Sequence, residues 1–184
     1  MNWNKFNIAS FSEEEYDKCL QLMEKNRLEK VLKTSHEQTR RMSVFAEWKA
    51  KNLIAETLNI PLSEVDFCYS EKGKPYLKDG EFHFSISHSG EWAAVALAPD
   101  PVGIDIEIIK PINSRLKRRI CNDDDLVFLS QTEGDENLTL LKIWTAKEAY
   151  FKKTGSGITD FKAVSYNDIS PLHFFEDNLI VTVV

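Results

Sequence analysis

Asp105, Glu107, Glu148 and Lys152 are the residues of this 184-residue chain whose types and spacing could do chemistry. In "VGIDIEII" strand-like alternation puts Val102, Ile104, Ile106 and Ile108 on one face and Gly103, Asp105 and Glu107 on the other. The two carboxylates then stand about 6–7 Å apart along one rigid strand. They are either the watered side of an amphipathic strand or a seat for a hard cation such as Mg²⁺. Glu148 lies in "WTAKEAYFKK". Helical steps from Leu141 pass through Trp144 and Glu148 to Phe151 and Lys152, so the carboxylate interrupts an apolar stripe. A buried carboxylate needs a cation or it protonates. Lys152, one turn on, supplies one as an i,i+4 pair. The alternative is that Glu148 joins Asp105 and Glu107 around one metal. Three carboxylates with Lys147 and Lys152 close by suit Mg²⁺ holding a polyphosphate.

A second group could bind phosphate. His88 in "SISHSG" ends a strand before a glycine turn, with Ser85, Ser87 and Ser89 around it as hydroxyl donors. Lys74 in "GKP" sits on a turn stiffened by Pro75. Arg40 and Arg41 open a helix, where the macrodipole also favours anions. Taken singly, each of these is matched by ordinary surface charge or a structural histidine.

The elements that must position these residues are legible from period and punctuation. "SEEEYDKCLQLMEK" starts with a capping box, Ser12 and Glu15, and predicts a helix whose apolar face extends to Leu32 if it runs that far. Ser35 and Gln38 predict a second box before a helix carrying Val44, Phe45, Trp48, Ile54 and Leu58, closed by Pro61. "DFCYSEKGKPYL" reads as strand, turn at Gly73 and extended piece; "FHFSISHS" and "WAAVALA" read as paired strands. "APDPVG" marks a boundary. After the acidic strand come a basic helical segment "NSRLKRRI", a short helix "DDDLVFL", a long helix from Glu136 to about Lys153 closed by "TGSG", and three strands in "FKAVSYND", "LHFFED" and "NLIVTVV". The expectation is an α+β fold of two similar subdomains, each a small antiparallel sheet packed with helices, over residues 1–100 and 101–184.

Composition narrows the function. Hydrophobic residues are 42% and charged residues 28%, a globular profile. A formal net charge of -6 argues against a general nucleic-acid binder. Cys19, Cys68 and Cys121 are far apart and odd in number, which predicts reduced thiols rather than a zinc site or a disulfide framework. No early apolar run suggests a signal peptide and none is long enough for a bilayer, so a cytoplasmic protein is expected.

"GKPYL", "FSISHSGEWAAVAL", "VGIDIE" and "WTAKEAYFK" occur in that order. Over about residues 35 to 155 the chain resembles a 4′-phosphopantetheinyl transferase of the two-subdomain, surfactin-synthetase-activating type. The resemblance implies a pseudo-dimer with coenzyme A in the cleft between the subdomains. The implied reaction moves the phosphopantetheine arm to a serine of an acyl or peptidyl carrier protein and releases 3′,5′-adenosine bisphosphate. It implies Asp105, Glu107 and Glu148 as ligands of Mg²⁺, with Mn²⁺ as the substitute, and Lys152 against the phosphate that accepts attack. It implies Lys74 and Ser87 at the nucleotide, and His88 with Arg41 (or Arg40) at the 3′-phosphate. It leaves Lys147 a motif lysine at the cofactor, and leaves Arg27, Lys30 and Lys33 unassigned. The basic run Lys110–Arg119 is then a dock for an acidic carrier, or a solvated helix face. A monomer is expected, and the end at "VTVV" is early for the family. The competing classes are another Mg²⁺-dependent phosphoryl or phosphodiester enzyme using the same carboxylates, and a non-catalytic carrier- or nucleotide-binding module.

Overall fold

The first element is a strand, β1 (Asn2–Asn7), which its asparagine-rich sequence does not announce. Pairing decides it: β1 lies antiparallel to β5 (Trp92–Ala98) along its whole length. The computed structural model describes residues 1–78, 80–157 and 160–184. The Ser12/Glu15 capping box forms as expected and opens α1 (Glu13–Gln21). The helix does not run to Leu32. It stops at Leu22, and the Glu24 side chain accepts from the Asn26 and Arg27 amides, which starts a separate α2 (Lys25–Leu32). The second predicted box is not made either. α3 (Glu37–Leu58) begins one residue late, with His36 at the cap and no side-chain capping bond, so Ser35 falls outside the position that needs an acceptor.

Five antiparallel pairings build three sheets. β2 (Phe67–Tyr69) and β3 (Pro75–Leu77) form the expected hairpin through Gly73. β4 (His83–Ser89) pairs with β5, and the order β1-β5-β4 makes the first three-stranded sheet. β6 (Ile104–Ile108), β7 (Leu172–Glu176) and β8 (Leu179–Val183) make the second, in the order β6-β8-β7. Between β6 and β7 lie α4 (Ser114–Ile120), α5 (Asp123–Gln131) and α6 (Glu136–Thr154). The expected strand in "FKAVSYND" is absent. That segment is two 3-10 turns, because its backbone is captured by buried side chains: Lys147 Nζ donates to the Phe161 carbonyl at 2.9 Å, and Asp125 Oδ1 accepts from the Tyr166 amide at 2.7 Å.

Alternation along β4 and β5 divides the interior. Phe84, Val95 and Leu97 pack on α3 with Leu53 and Ile54. Ala94, Ala96 and Ala98 face the other way, onto Ile104, Ile106, Val181 and Val183. Methyl groups there let the two sheets approach closely. Ile104 and Ile106 are fully buried, each worth about 1.5–3 kcal/mol, enough to fix a strand of five residues. The opposite face of β6 is covered as well. A Cβ on Gly103 would overlap the Ala149 carbonyl oxygen, so glycine is what lets α6 lie against the strand. Asp105 is therefore 3% exposed, which removes the watered-strand reading of that residue.

Candidate functional site

The polar residues of β4 meet the acidic strand of the other half. Ser85, Ser87 and Ser89 share the face of β4 turned away from α3, because the strand alternates. Ser85 Oγ accepts from the Ile104 amide at 3.1 Å. Ser87 Oγ donates to Asp105 Oδ1 at 2.7 Å, and Ser89 Oγ donates to Glu107 Oε2 at 2.6 Å. Trp144 Nε1 of α6 reaches Glu107 Oε1 at 3.5 Å. Each strand carboxylate is thus oriented by a hydroxyl from the other half.

Lys152 does not pair with Glu148. Its Nζ donates to Asp105 Oδ1 at 2.6 Å and to Ser87 Oγ at 2.7 Å. The i,i+4 ion pair is accordingly not formed, and among the described residues Glu148 has no hydrogen-bond partner. Burial, with the charges of Asp105 and Glu107 beside it, pushes the Glu148 carboxyl up to about 7 against the opposing pull of Lys152. Burial raises Glu107 as well. Arg119 of α4, its guanidinium 5.6 Å from the Phe161 ring, is a further cation whose charge reaches Glu148.

Whether these residues suit a divalent cation can be judged from their oxygens. Asp105 Oδ2 is buried without a partner, and the Asp105 charge helps to raise both Glu107 and Glu148, a crowding of acids that a hard cation relieves. The donor set fits. As it stands, no group of three or more His, Cys, Asp or Glu among the described residues is gathered to hold a metal ion. The Lys152 ammonium lies against Asp105 in their midst.

The phosphate-side residues separate into two neighbouring cavities that share Gly73, Pro75 and Ile86. One, of about 280 Å³, is lined by Lys72, Lys74, Ser85 and Lys152 and by Gly155 and Gly157 after α6. Lys74 Nζ donates to the Lys153 carbonyl at 2.8 Å, and Lys72 Nζ to that of Ser156, so both ammonium groups lie against the C-terminal end of α6. Burial lowers the Lys74 pKa. The other cavity, of about 190 Å³, holds His88 with Arg27, Ser43 and Glu47. His88 stands open at its mouth, yet the surrounding protein and the Lys152 charge hold its imidazole below the ordinary range.

Three expected cofactor residues, Ser87, Arg41 and Lys147, line neither cavity, and Ser87 is turned to Asp105 and Lys152 instead. Arg41 forms an ion pair with Glu13 at 2.8 Å and donates to the Phe11 carbonyl at 3.0 Å, lying over the Phe11 and Tyr16 rings. Arg40 donates to the Thr34 carbonyl. Neither lines the His88 cavity, whose guanidinium is that of Arg27. Lys147 is fully buried. It donates to Asp125 and to the Ile120 and Phe161 carbonyls, fastening α4, α5 and the 161–166 segment to α6. A fully buried ammonium with three partners does not reach a cofactor. The serine row was readable from the alternation in "SISHS". Trp144 and Arg27 had no such signal, since only the packing of distant elements brings them in.

Comparison with known proteins agrees with this geometry. The model described as 4′-phosphopantetheinyl transferase, N-terminal, matches residues 10–100, and that of the 4′-phosphopantetheinyl transferase superfamily matches residues 101–182. The 4′-phosphopantetheinyl transferase gsp of Aneurinibacillus migulanus is 34% identical over 117 residues, covering 63% of this chain and 49% of that protein. The psf-1 enzyme of Bacillus pumilus is 36% identical over 121 residues, 65% of this chain and 52% of its own. The ffp enzyme of Bacillus subtilis is 29% identical over 150 residues, 80% and 67% respectively. The chain thus spans about half to two thirds of the length of these relatives. With both halves matched in order, and the motif carboxylates of one half seated on the serines of the other, the chain belongs to the 4′-phosphopantetheinyl transferase superfamily.

Proposed function

We propose that this chain transfers the 4′-phosphopantetheine arm of coenzyme A to a serine of an acyl or peptidyl carrier protein, releasing 3′,5′-adenosine bisphosphate. The observation that carries the reading is the position of Lys152. It closes one end of a cation-lined cavity between the halves and also touches the buried acid Asp105. A diphosphate in that cavity would run from Lys74 towards Lys152, beside the carboxylates. Asp105, Glu107 and Glu148 would hold Mg²⁺, which when bound would supply neutralisation of the diphosphate and polarisation of the phosphoryl group under attack. Glu148 is the residue to take the proton of the carrier serine, directly or through a water, because it is the one motif acid that no side chain of the protein holds by a hydrogen bond among the described residues. Lys152 stabilises charge on the departing nucleotide. Ser87 and Ser89 hold Asp105 and Glu107 in place for this. His88 and Arg27 receive the ribose phosphate, with Arg27 in the part that the resemblance implies for Arg41.

The same reading makes the molecule a cytoplasmic monomer and a pseudo-dimer, divided into 1–100 and 101–184. In both halves the sheet order is first strand, last strand, penultimate strand, and one long helix covers it. The carrier docks on the basic segment Lys110–Arg119, where α4 is followed by α5 with Leu126 and Val127 exposed.

Intact-protein mass spectrometry tests this with coenzyme A, Mg²⁺, a panel of apo carrier proteins and an EDTA control. The expected result is one added phosphopantetheine arm on a carrier, only with metal. Failure to bind coenzyme A at all would remove the reading.

A further inference from the structure

Glu47 stands near the middle of α3 and is 3% exposed, an uncommon place for a carboxylate. Its Oε2 accepts from Arg27 Nε at 3.0 Å. Its Oε1 is buried without a partner, as is the Tyr69 phenol oxygen, and both residues line the cavity that holds His88. Lys51, also buried, gives its ammonium to the Val65 carbonyl at 2.6 Å rather than to Glu47. Arg27 is therefore the one cation hydrogen-bonded to this carboxylate among the described residues. A buried charge with a single compensating partner holds that partner hard, since separation leaves it stranded. The grip is through Nε. The two terminal nitrogens of Arg27 make no hydrogen bond among the described residues, and they are the fork that matches a phosphate. The Tyr69 ring, 5.8 Å from the guanidinium carbon, limits how far the group can swing.

We propose that Glu47 is a positioning residue. It aims the free fork of Arg27 at the ribose phosphomonoester of coenzyme A and so sets the preference for coenzyme A over its 3′-dephospho form. The proposal rests on the transferase reading above and goes beyond it, because Glu47 itself touches no substrate.

Isothermal titration with coenzyme A and 3′-dephospho-coenzyme A tests it on the full chain, in wild type, Glu47→Gln, Arg27→Ala and the double variant. Glu47→Gln is expected to weaken coenzyme A binding about tenfold and to leave the dephospho form within about twofold. In the Arg27→Ala background the Glu47 change should add nothing, because its effect passes through that arginine. Equal losses for both ligands, no loss for coenzyme A, or an additive loss in the double variant would each overturn the proposal. Should Glu47→Gln not fold, Arg27→Lys takes its place. It keeps the charge but has neither Nε nor a fork, so unchanged discrimination there also overturns it. A wild type that binds neither ligand sinks the transferase reading. A wild type that prefers coenzyme A, with Glu47→Gln preferring it equally, sinks only the role of Glu47.

Discussion

Glu148 and Asp105 are both motif acids, and their surroundings could hardly differ more. Asp105 is gripped by Ser87 and Lys152, while Glu148 is half-buried and unpartnered. Glu148→Gln should keep the fold and lower transfer by a hundredfold or more, roughly what a general base contributes. Carrier modification followed by mass spectrometry reads this, and full activity would take Glu148 out of the chemistry. Lys147, its neighbour in sequence, has a different duty. Lys147→Met strands the buried Asp125 and should cost about 3–5 kcal/mol in urea unfolding, with no change in coenzyme A affinity for the folded fraction. The sequence exposed the acids and Lys152 because an acid in an apolar stripe is conspicuous. It could not separate Lys147 from Lys152, since both are lysines on one helix five residues apart, and only the turn that each faces distinguishes them.

At the scale of elements, the acidic strand and α6 depend on one contact without a side chain. Gly103→Ala forces Ala149 away, so we expect a loss of about 3 kcal/mol together with reduced activity, because Glu148 and Lys152 travel with the helix. Unchanged melting would mean that the helix can shift at little cost. Periodicity located β4, β5, β6 and α6 close to their observed bounds, because their patterns agree with their packing. It failed where a side chain overrules the pattern: Glu24 cuts α1 from α2, and Lys147 and Asp125 hold "FKAVSYND" out of a sheet. β1 was invisible for the converse reason, as its strand state comes from β5 rather than from its own residues.

Over the whole molecule, charge and protonation act across the halves. Arg115→Glu with Arg118→Glu should raise the KM for an acidic carrier about tenfold with little change in kcat, and weaken its salt dependence. Steady-state kinetics at two ionic strengths decides it, and an unchanged KM moves the dock elsewhere. His173 bonds to Tyr166 and Thr182, and burial, aided by the Lys142 charge, pushes its pKa down to about 4. The unfolded chain takes up that proton first, at an ordinary histidine pKa of about 6.5. Its contribution is therefore complete above about pH 6.5 and declines as the pH falls towards 4. Urea midpoints across that range should slope less in His173→Gln, and identical slopes would remove the histidine from the acid response.

The strand order has a consequence for how the protein is made. In each three-stranded sheet the central strand is the last to be synthesised, β5 in one and β8 in the other. While the ribosome is still adding α4, α5 and α6, β6 has no sheet partner of its own. Already waiting for it on the finished first sheet are the alanines of β5 and the hydroxyls of Ser85, Ser87 and Ser89. The emerging acidic strand can thus be received by hydroxyls before it has a backbone ladder, and the nascent chain would hold the rudiment of its acidic site before its second sheet exists.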